Sequence, residues 1–152
     1  METTLVLIKP DAVQRGLIGE ITTRFEKKGL RLAGMKMMQL SSDILREHYA
    51  HIADKPFFPG VESFMKSSPV IVQAWSGKDV VSTVRQLIGV TNSREALPGT
   101  IRGDFSMSMA CNIIHASEDI SAADDELKRF LSDAELFEIP RNEDIFYAPD
   151  ER

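Results

Sequence analysis

A chain of 152 residues is long enough to bury one hydrophobic core and leaves little room for a second domain. Hydrophobic residues make up 43% and charged residues 27%, a balance typical of folded globular proteins that argues against a disordered chain. The formal net charge of −5 argues against a surface built throughout to bind nucleic acid or an acidic membrane. We expect one domain over residues 1–152, with residues 132–152 as a C-terminal tail.

Neither a signal peptide nor a membrane span is predicted. The longest apolar run near the N-terminus, residues 5–8, ends at Lys9 and Pro10 and is too short for either. Cys111 is the only cysteine, so an intrachain disulfide cannot form and a structural zinc site has no second thiol. These features predict a cytoplasmic protein that does not bind a membrane.

The first forty residues predict a strand, a helix and a second strand. Residues 4–8 are β-branched residues and leucine, as in a buried strand, and a turn follows that opens a helix. Apolar residues then recur at helical spacing up to Gly29, so residues 11–28 should be mainly helical, with Gly16 as a candidate break. Residues 30–40 alternate loosely in polarity and predict a strand whose methionines pack in the core.

The next segment predicts two helices separated by a bend. Ser42 can cap a helix whose apolar stripe continues to Ile52. Two prolines bracket residues 57–58, which predicts a bend, and a short helix over residues 61–66 should follow.

The second half of the chain predicts strand, helix, loop, strand and helix. Residues 69–75 predict a third strand and residues 80–88 an amphipathic helix. Residues 89–104 have no usable periodicity and predict a long loop. Loops of this length in a compact domain are usually functional. Residues 107–116 predict a fourth strand, and Ser121 with Asp124 resembles a capping box that starts the last helix. This order predicts an α+β fold of the ferredoxin-like βαββαβ type, an antiparallel sheet with added helices.

His115 is the residue with the clearest chemical interest. It ends a predicted strand beside Ser117, although a lone histidine is more often structural than catalytic. Glu126 lies at the edge of the apolar stripe of the following helix, from which its carboxylate can reach the strand end and orient the ring. With an ordinary pKa of about 6.5, an imidazole is mostly neutral and nucleophilic at pH 7, which suits phosphoryl transfer.

Basic side chains that could hold phosphates occur in three of the predicted elements. Lys9 ends the first strand, Arg85 belongs to the helix before the long loop, and Arg102 belongs to the loop itself. Arginine makes forked contacts to phosphate oxygens and lysine adds a compact charge. Each of these residues alone is more often a solvated surface charge, so their value as evidence comes from the combination with His115.

Four segments together resemble the signatures of a known family. They read LIKPDAVQRG at residues 7–16, KPFF at 55–58, PGTIRGDF at 98–105 and NIIH at 112–115. In this order they resemble the nucleoside diphosphate kinases, and the resemblance extends from Thr4 to about Phe130. It implies an enzyme that moves the γ-phosphoryl group of a nucleoside triphosphate to a nucleoside diphosphate, by a ping-pong mechanism through a phosphohistidine.

The resemblance also implies a role for each matching residue. His115 would be phosphorylated at Nδ1 while a backbone carbonyl holds its other nitrogen, with Glu126 and Ser117 in support. The remaining matches imply nucleotide contacts: Lys9 and Asn112 near the sugar, Arg85, Thr91 and Arg102 near the phosphates, Tyr49 among the phosphate and ribose contacts, and Phe57 stacked on the base. Lys9 would also be part of the catalytic set.

The implied partners are nucleotides, such as ATP and GDP, and further copies of this chain. Magnesium would be carried mainly by the nucleotide, so no protein metal site is expected, since Mg²⁺ keeps several of its waters. The resemblance implies a homo-oligomer, either a hexamer or a tetramer. No specific nucleic acid partner is expected.

The sequence departs from the family pattern near the nucleophile. The usual Gly-Ser-Asp after the histidine reads Ala116-Ser117-Glu118, and Ser93 replaces the usual proline. Alanine at position 116 matters only if the backbone there needs a positive φ. His48 and His51 have a spacing that can bind a metal on a helix, but no third ligand is evident, and we interpret them as one partly buried and one exposed histidine.

Two alternatives remain at the level of sequence. A catalytically silent nucleotide-binding module could share this fold, although the presence of His115, Glu126 and Ser117 argues against it. A nucleic-acid-binding ferredoxin-like domain should carry a basic face with exposed aromatic residues on its strands, whereas this chain is acidic.

Overall fold

A computed structural model describes residues 1–152, which form four strands, seven α-helices and three short 3-10 helices. In chain order the main elements are β1 (Glu2–Ile8), α1 (Pro10–Gln14), α2 (Ile18–Lys28), β2 (Arg31–Met38), α3 (Ser42–His48), α4 (Phe58–Met65), β3 (Val70–Gly77), α5 (Val80–Ile88), α6 (Ile101–Phe105), β4 (Ile114–Ala116) and α7 (Ile120–Phe130). The 3-10 helices are Asp133–Glu135, Glu143–Ile145 and Pro149–Glu151. No helix combines the length and the apolar character needed to cross a membrane.

The strands form one antiparallel sheet in the order β2-β3-β1-β4. In the register of the two central strands, Glu2 of β1 lies opposite Gly77 and Ile8 opposite Ile71. On the other side of β1, Val6 lies opposite Ala116 and Ile8 opposite Ile114. This topology confirms the predicted ferredoxin-like α+β fold, and it places the end of β1 next to the start of β4.

Residues 5–8 of strand β1 are apolar without interruption because the sheet is covered on both faces. Val6 and Ile8 pack with residues of α2 and α5 on one face. Leu5 and Leu7 point to the other face, since successive side chains of a strand alternate, and pack with residues of α3, α4 and α7. All four side chains are completely buried. The central strand that leads to the site is therefore fixed from both sides.

Glycine ends the first two helices. Gly16 adopts a φ of +70° and separates α1 from α2, which confirms the break predicted there. Gly29 adopts a φ of +97° as the left-handed cap of α2, with Lys27 and Lys28 in the last turn of that helix.

The fourth strand is much shorter than predicted. Only residues 114–116 pair with β1, because serine side chains satisfy the backbone of the preceding segment locally. Ser106 Oγ donates to the Cys111 carbonyl at 2.8 Å, and Ser108 Oγ accepts the N–H groups of Ala110 and Cys111 at 3.2 and 3.0 Å. Such local bonds compete with sheet pairing.

Several helix boundaries also differ from the prediction, and the cap of α3 is Ser41 and not Ser42. The loop predicted over residues 89–104 contains the start of α6, whose cap is Thr100, with its Oγ1 accepting the Gly103 N–H at 3.0 Å. Helix α7 starts at Asp119, which accepts the Ala122 N–H at 2.8 Å, so the predicted capping box at Ser121 is wrong. Helix α4 begins at Phe58, three residues earlier than predicted.

The expectation that the methionines of β2 pack in the core is wrong for two of them. Met35 and Met37 are 46% and 59% exposed, because β2 is an edge strand whose outer residues are only partly covered. The C-terminal tail runs beside this edge, where the Phe137 N–H donates to the Ala33 carbonyl at 2.7 Å. Arg141 donates to the Gly29 carbonyl at 2.7 Å, which holds the tail further along the same side.

Candidate active site

A cavity of about 430 Å³ opens where β1 ends and β4 begins, a size usual for small-ligand sites. Most of the residues singled out from the sequence line it, namely Lys9, Tyr49, Arg85, Thr91, Arg102, Asn112, His115 and Glu126. They come from the residues that directly follow β1 and α3, from α5 and the loop after it, from α6, from β4 and the segment before it, and from α7. The fold therefore brings residues separated by more than a hundred positions into one site.

The imidazole of His115 is held by a carboxylate. Its Nε2 lies 2.6 Å from Oε2 of Glu126, and Glu126 is almost completely buried. An ionised carboxylate only accepts hydrogen bonds, so Nε2 carries the proton and Nδ1 keeps its lone pair. The implied backbone carbonyl partner of His115 is therefore wrong: the partner of Nε2 is the side chain of Glu126.

Ser117 supports this carboxylate from behind. It is completely buried and does not line the cavity. Its Oγ lies 3.4 Å from the same Glu126 oxygen and accepts the Leu5 N–H at 3.4 Å, both long for hydrogen bonds. Ser117 thus connects Glu126 to strand β1, whereas contact with a ligand in the cavity is made by other residues.

His48 belongs to the site, although sequence reasoning did not select it. Its ring meets that of His115 edge to face, with centroids 4.8 Å apart, and its Nδ1 accepts a hydrogen bond from Arg129 at 3.0 Å. Burial, followed by the charges of His115 and Arg129, lowers the pKa of His48 to about 3. The imidazole is therefore neutral at physiological pH. His51 is exposed, as predicted, and lies at the rim of the cavity.

His48, His115 and Glu126 place three potential metal-ligand atoms within 4.8 Å of one another. Arg129 already occupies one nitrogen of His48, and an ion would have to displace the 2.6 Å bond of His115. The positively charged side chains of Arg129 and Lys9 also lie near this group, and their charge opposes the binding of a metal cation. The arrangement favours a hydrogen-bonded histidine over a metal ligand.

Lys9 and Asn112 form a polar pair in the wall of the cavity. Lys9 Nζ donates to Asn112 Oδ1 at 2.7 Å, and Asn112 Nδ2 donates to the Thr91 carbonyl at 3.1 Å. Burial, reinforced by Arg102, lowers the pKa of Lys9 to about 8, although Asp11 acts in the other direction. Lys9 is still mostly charged at pH 7.

Arg102 is both a structural residue and a source of positive charge. Its guanidinium donates to the carbonyls of Asn112, Gly89 and Ile114 at 3.3, 3.1 and 2.7 Å. Burial and then the nearby Arg85 lower the pKa of Arg102 to about 10. Two of its five N–H groups remain for a ligand. Two guanidinium groups so close together favour an anion between them.

A family model described as nucleoside diphosphate kinase matches residues 2–136. The chain belongs to the nucleoside diphosphate kinase family. It is 58% identical over 152 residues to a nucleoside diphosphate kinase of Parabacteroides distasonis, covering 99% of each chain. It is 48% identical over 137 residues to nucleoside diphosphate kinase A of Mus musculus, covering 90% of each chain. A solved structure of a nucleoside diphosphate kinase from Halobacterium salinarum, in complex with CDP, has 46% identity and a TM-score of 0.91, covering 95% of this chain and 97% of the other.

These similarities confirm the predicted family, fold and activity. As a nucleoside diphosphate kinase, the chain is a phosphotransferase that moves a γ-phosphoryl group between nucleotides, by the ping-pong mechanism general to the family.

The departures from the nucleoside diphosphate kinase pattern are accommodated by the structure. Ala116 pairs with Val6 in the sheet and its φ is not positive, so a glycine is not required there. Ser93 is buried, and its N–H donates to the Ser108 carbonyl at 3.4 Å, a bond that a proline could not make. Its hydroxyl is buried without a hydrogen-bond partner.

Two aromatic residues complete the set singled out from the sequence. Phe57 precedes α4 and is 58% exposed, which excludes ordinary core packing. It is not one of the residues that line the cavity. Tyr49 lines the cavity, and burial followed by Glu126 raises its pKa to about 12, so its hydroxyl stays protonated. Glu118, exposed at the rim, is a further lining residue that the sequence did not single out for the cavity.

Proposed function

We propose that this nucleoside diphosphate kinase transfers the phosphoryl group through Nδ1 of His115. The observation that carries the proposal is the 2.6 Å contact between His115 Nε2 and Glu126, because it fixes the tautomer with a free lone pair on Nδ1. No base has to remove a proton before the attack. Nδ1 is therefore the ring nitrogen whose lone pair can attack the phosphorus.

In the first half-reaction a bond forms between Nδ1 and the γ-phosphorus. The bond from that phosphorus to the oxygen bridging to the β-phosphate breaks, and the diphosphate leaves with the electron pair. The ring gains positive charge while Nε2 keeps its proton, and the carboxylate of Glu126 offsets that charge through the hydrogen bond. In the second half-reaction a terminal oxygen of the acceptor diphosphate attacks the phosphorus, and the N–P bond breaks.

The remaining residues of the site bind the nucleotide. Arg85, Arg102 and Thr91 hold the phosphates, where the two guanidinium groups offset the charge that moves between oxygens during transfer. Lys9 and Asn112 contact the sugar hydroxyls as a pair. This set also includes Tyr49 as a hydroxyl donor and Phe57, whose exposed ring can stack on a base without reading its edges.

Magnesium arrives with the nucleotide. The cavity is lined mainly by nitrogen donors, its buried carboxylate is engaged by His115, and the exposed Glu118 is the other acidic group on its wall. This donor set suits an ion that is held by phosphate oxygens and water. When bound, the ion neutralises the oxygens of the β- and γ-phosphates.

We further propose that the enzyme works in the cytoplasm as a homo-oligomer, either a hexamer or a tetramer, with residues 1–152 of each chain forming one domain. In support, several large apolar side chains before, in and after the loop that carries Thr91 are exposed, including Val90, Leu97, Met107 and Met109. Exposed apolar groups of this kind are typical of contact surfaces. Sedimentation at micromolar concentration tests this, and an active monomer would contradict it.

The proposed nucleophile is tested by the donor half-reaction alone. Mixing the enzyme with magnesium and ATP, without an acceptor, should add one acid-labile phosphoryl group per chain, visible by intact mass and located on His115. GDP should then remove it and yield GTP. His115→Gln should abolish labelling, Glu126→Gln should slow it, and His51→Gln, which removes an exposed imidazole at the rim, should leave it intact. Label on a serine, or transfer that survives in His115→Gln, would refute the role of His115.

A further inference from the structure

Ile113 lies two residues before His115 in an unfavourable backbone conformation. Its φ is +63°, which a β-branched residue rarely adopts. The Ile114 N–H donates to the Asn112 carbonyl at 2.8 Å, so residues 112–114 form a three-residue γ-turn, and positive φ makes this the strained form of that turn. Ile113 is completely buried, so solvent does not compensate its backbone.

Two hydrogen bonds with residues at the start of α1 hold Ile113, one at its N–H and one at its carbonyl. The Ile113 N–H donates to Oδ2 of Asp11 at 3.1 Å. The Lys9 N–H donates to the Ile113 carbonyl at 2.9 Å. The other oxygen of Asp11, Oδ1, is buried and has no hydrogen-bond partner. The one hydrogen bond that Asp11 makes through its side chain is therefore to the strained residue.

The γ-turn carries the acceptors that position two basic residues of the site. Asn112 Oδ1 accepts from Lys9 Nζ, and the carbonyls of Asn112 and Ile114 accept from the guanidinium of Arg102. If Ile113 relaxed to a negative φ, the peptide groups on both sides of it would rotate. These acceptors would then point elsewhere, and Lys9 and Arg102 would lose the partners that hold them in the cavity.

We propose that Asp11 is a positioning residue for nucleotide binding, acting by holding Ile113 in its left-handed conformation. Asp11 does not line the cavity, so its action passes through Asn112, Lys9 and Arg102. This inference rests on the proposed nucleotide contacts of those three residues. His115 depends less on the turn, because β4 pairing and Glu126 hold it independently.

The first test compares Asp11→Ala with Asp11→Asn. Asparagine keeps an oxygen that can accept the Ile113 N–H, so its KM for nucleotides should stay within about threefold of the unmodified enzyme. Alanine leaves a buried N–H unpaired and frees the turn, so KM should rise about tenfold to a hundredfold. Equal effects of the two variants would indicate that the charge of Asp11, and not its hydrogen bond, is what matters, and would overturn the proposal.

A second readout separates positioning from general damage. Phosphoramidate is a phosphoryl donor without a base or sugar, so its reaction with His115 should not need Asn112 or the nucleotide-binding position of Lys9. Asp11→Ala should therefore slow labelling of His115 by ATP at least tenfold more than labelling by phosphoramidate. A proportional loss with both donors would overturn the proposal. Failure of the proposed function would look different, because the unmodified enzyme would then carry no label on His115.

The strain itself is tested in two matched backgrounds. Ile113→Ala and Ile113→Gly both remove the buried side chain, but only glycine adopts a positive φ freely. Asp11→Ala should raise KM strongly in the alanine background and by less than about threefold in the glycine background. If Asp11→Ala alone does not fold, its rescue by Ile113→Gly and not by Ile113→Ala supports the proposal. Equal effects in both backgrounds would contradict it.

Discussion

Acidification should unfold this enzyme partly through His48, a residue that takes no direct part in the proposed chemistry. Its ring is buried between His115, Tyr49 and Phe130, and Arg129 donates to its Nδ1. Burial and the adjacent positive groups lower its pKa in the folded state to about 3, from about 6.5 in an unfolded chain. Between these values the unfolded chain binds one more proton than the folded chain, so stability falls as pH falls.

The size of the effect follows from the two pKa values. For a pKa of about 6.5 in the unfolded chain and about 3 in the folded chain, linkage gives a loss of about 2 kcal/mol between pH 7 and pH 5. The full shift would correspond to roughly 5 kcal/mol below pH 3, an upper limit since buried groups relax on protonation. Above pH 7 His48 contributes almost no pH dependence.

Urea unfolding at a series of pH values from 8 to 5 measures this slope. One protein concentration must be used, because the stability of an oligomer depends on it. His48→Phe keeps an aromatic ring and removes the titrating group. Between pH 7 and pH 5 its free energy of unfolding should therefore fall by about 2 kcal/mol less than that of the unmodified enzyme. His51→Gln, which removes an exposed imidazole, should keep the acid slope. Parallel curves for His48→Phe and the unmodified enzyme would refute the argument.

Three other residues give predictions of known sign. Because Lys9 loses its charge above its lowered pKa of about 8, kcat/KM for nucleotides should fall by up to about tenfold per pH unit above pH 8, and Lys9→Gln should remove this decline. Arg102→Lys cannot satisfy all three carbonyls, so urea unfolding should show a loss of about 2–4 kcal/mol, and an unchanged stability would contradict the structural role of Arg102. Phe57 is largely exposed, so Phe57→Leu should leave stability unchanged. It should weaken the binding of ADP, GDP, CDP and UDP alike by about 1–3 kcal/mol, as measured by KM. A loss confined to one base would contradict stacking.

The elements that could be predicted from sequence are those whose pattern is set by their own burial. Residues 5–8 of strand β1 are buried on both faces and are therefore continuously apolar. Glu126 was predicted to reach His115 because helical geometry fixes which residues share a face, and the 2.6 Å contact agrees. In both cases the information lies within one element.

The features that could not be predicted from the sequence depend on contacts between residues that are far apart along the chain. His48 belongs to an ordinary amphipathic stripe, and only the packing of α3 against α7 and β4 brings it to His115. The short β4 could not be predicted, because residues 107–113 look like a strand by composition while Ser106 and Ser108 satisfy their backbone locally. The γ-turn at Ile113 is contrary to the preference of isoleucine and is imposed by Asp11, a hundred residues away.

The protein combines a negative net charge with a positively charged cavity. The net charge is −5, yet Lys9, Arg85 and Arg102 converge on one cavity, and the lowered pKa values of Lys9 and Arg102 show that burial and neighbouring positive charges disfavour their charged forms. Backbone carbonyls and Asn112 hold these cations in place without neutralising them, because a carbonyl or an amide brings no counter-charge. A triphosphate supplies the missing negative charge. The repulsion between these cations in the free enzyme is then outweighed by their attraction to the phosphates in the complex. Replacing the side-chain amide of Asn112 with a carboxylate would stabilise the charged form of Lys9 in the free protein and reduce its affinity for nucleotides.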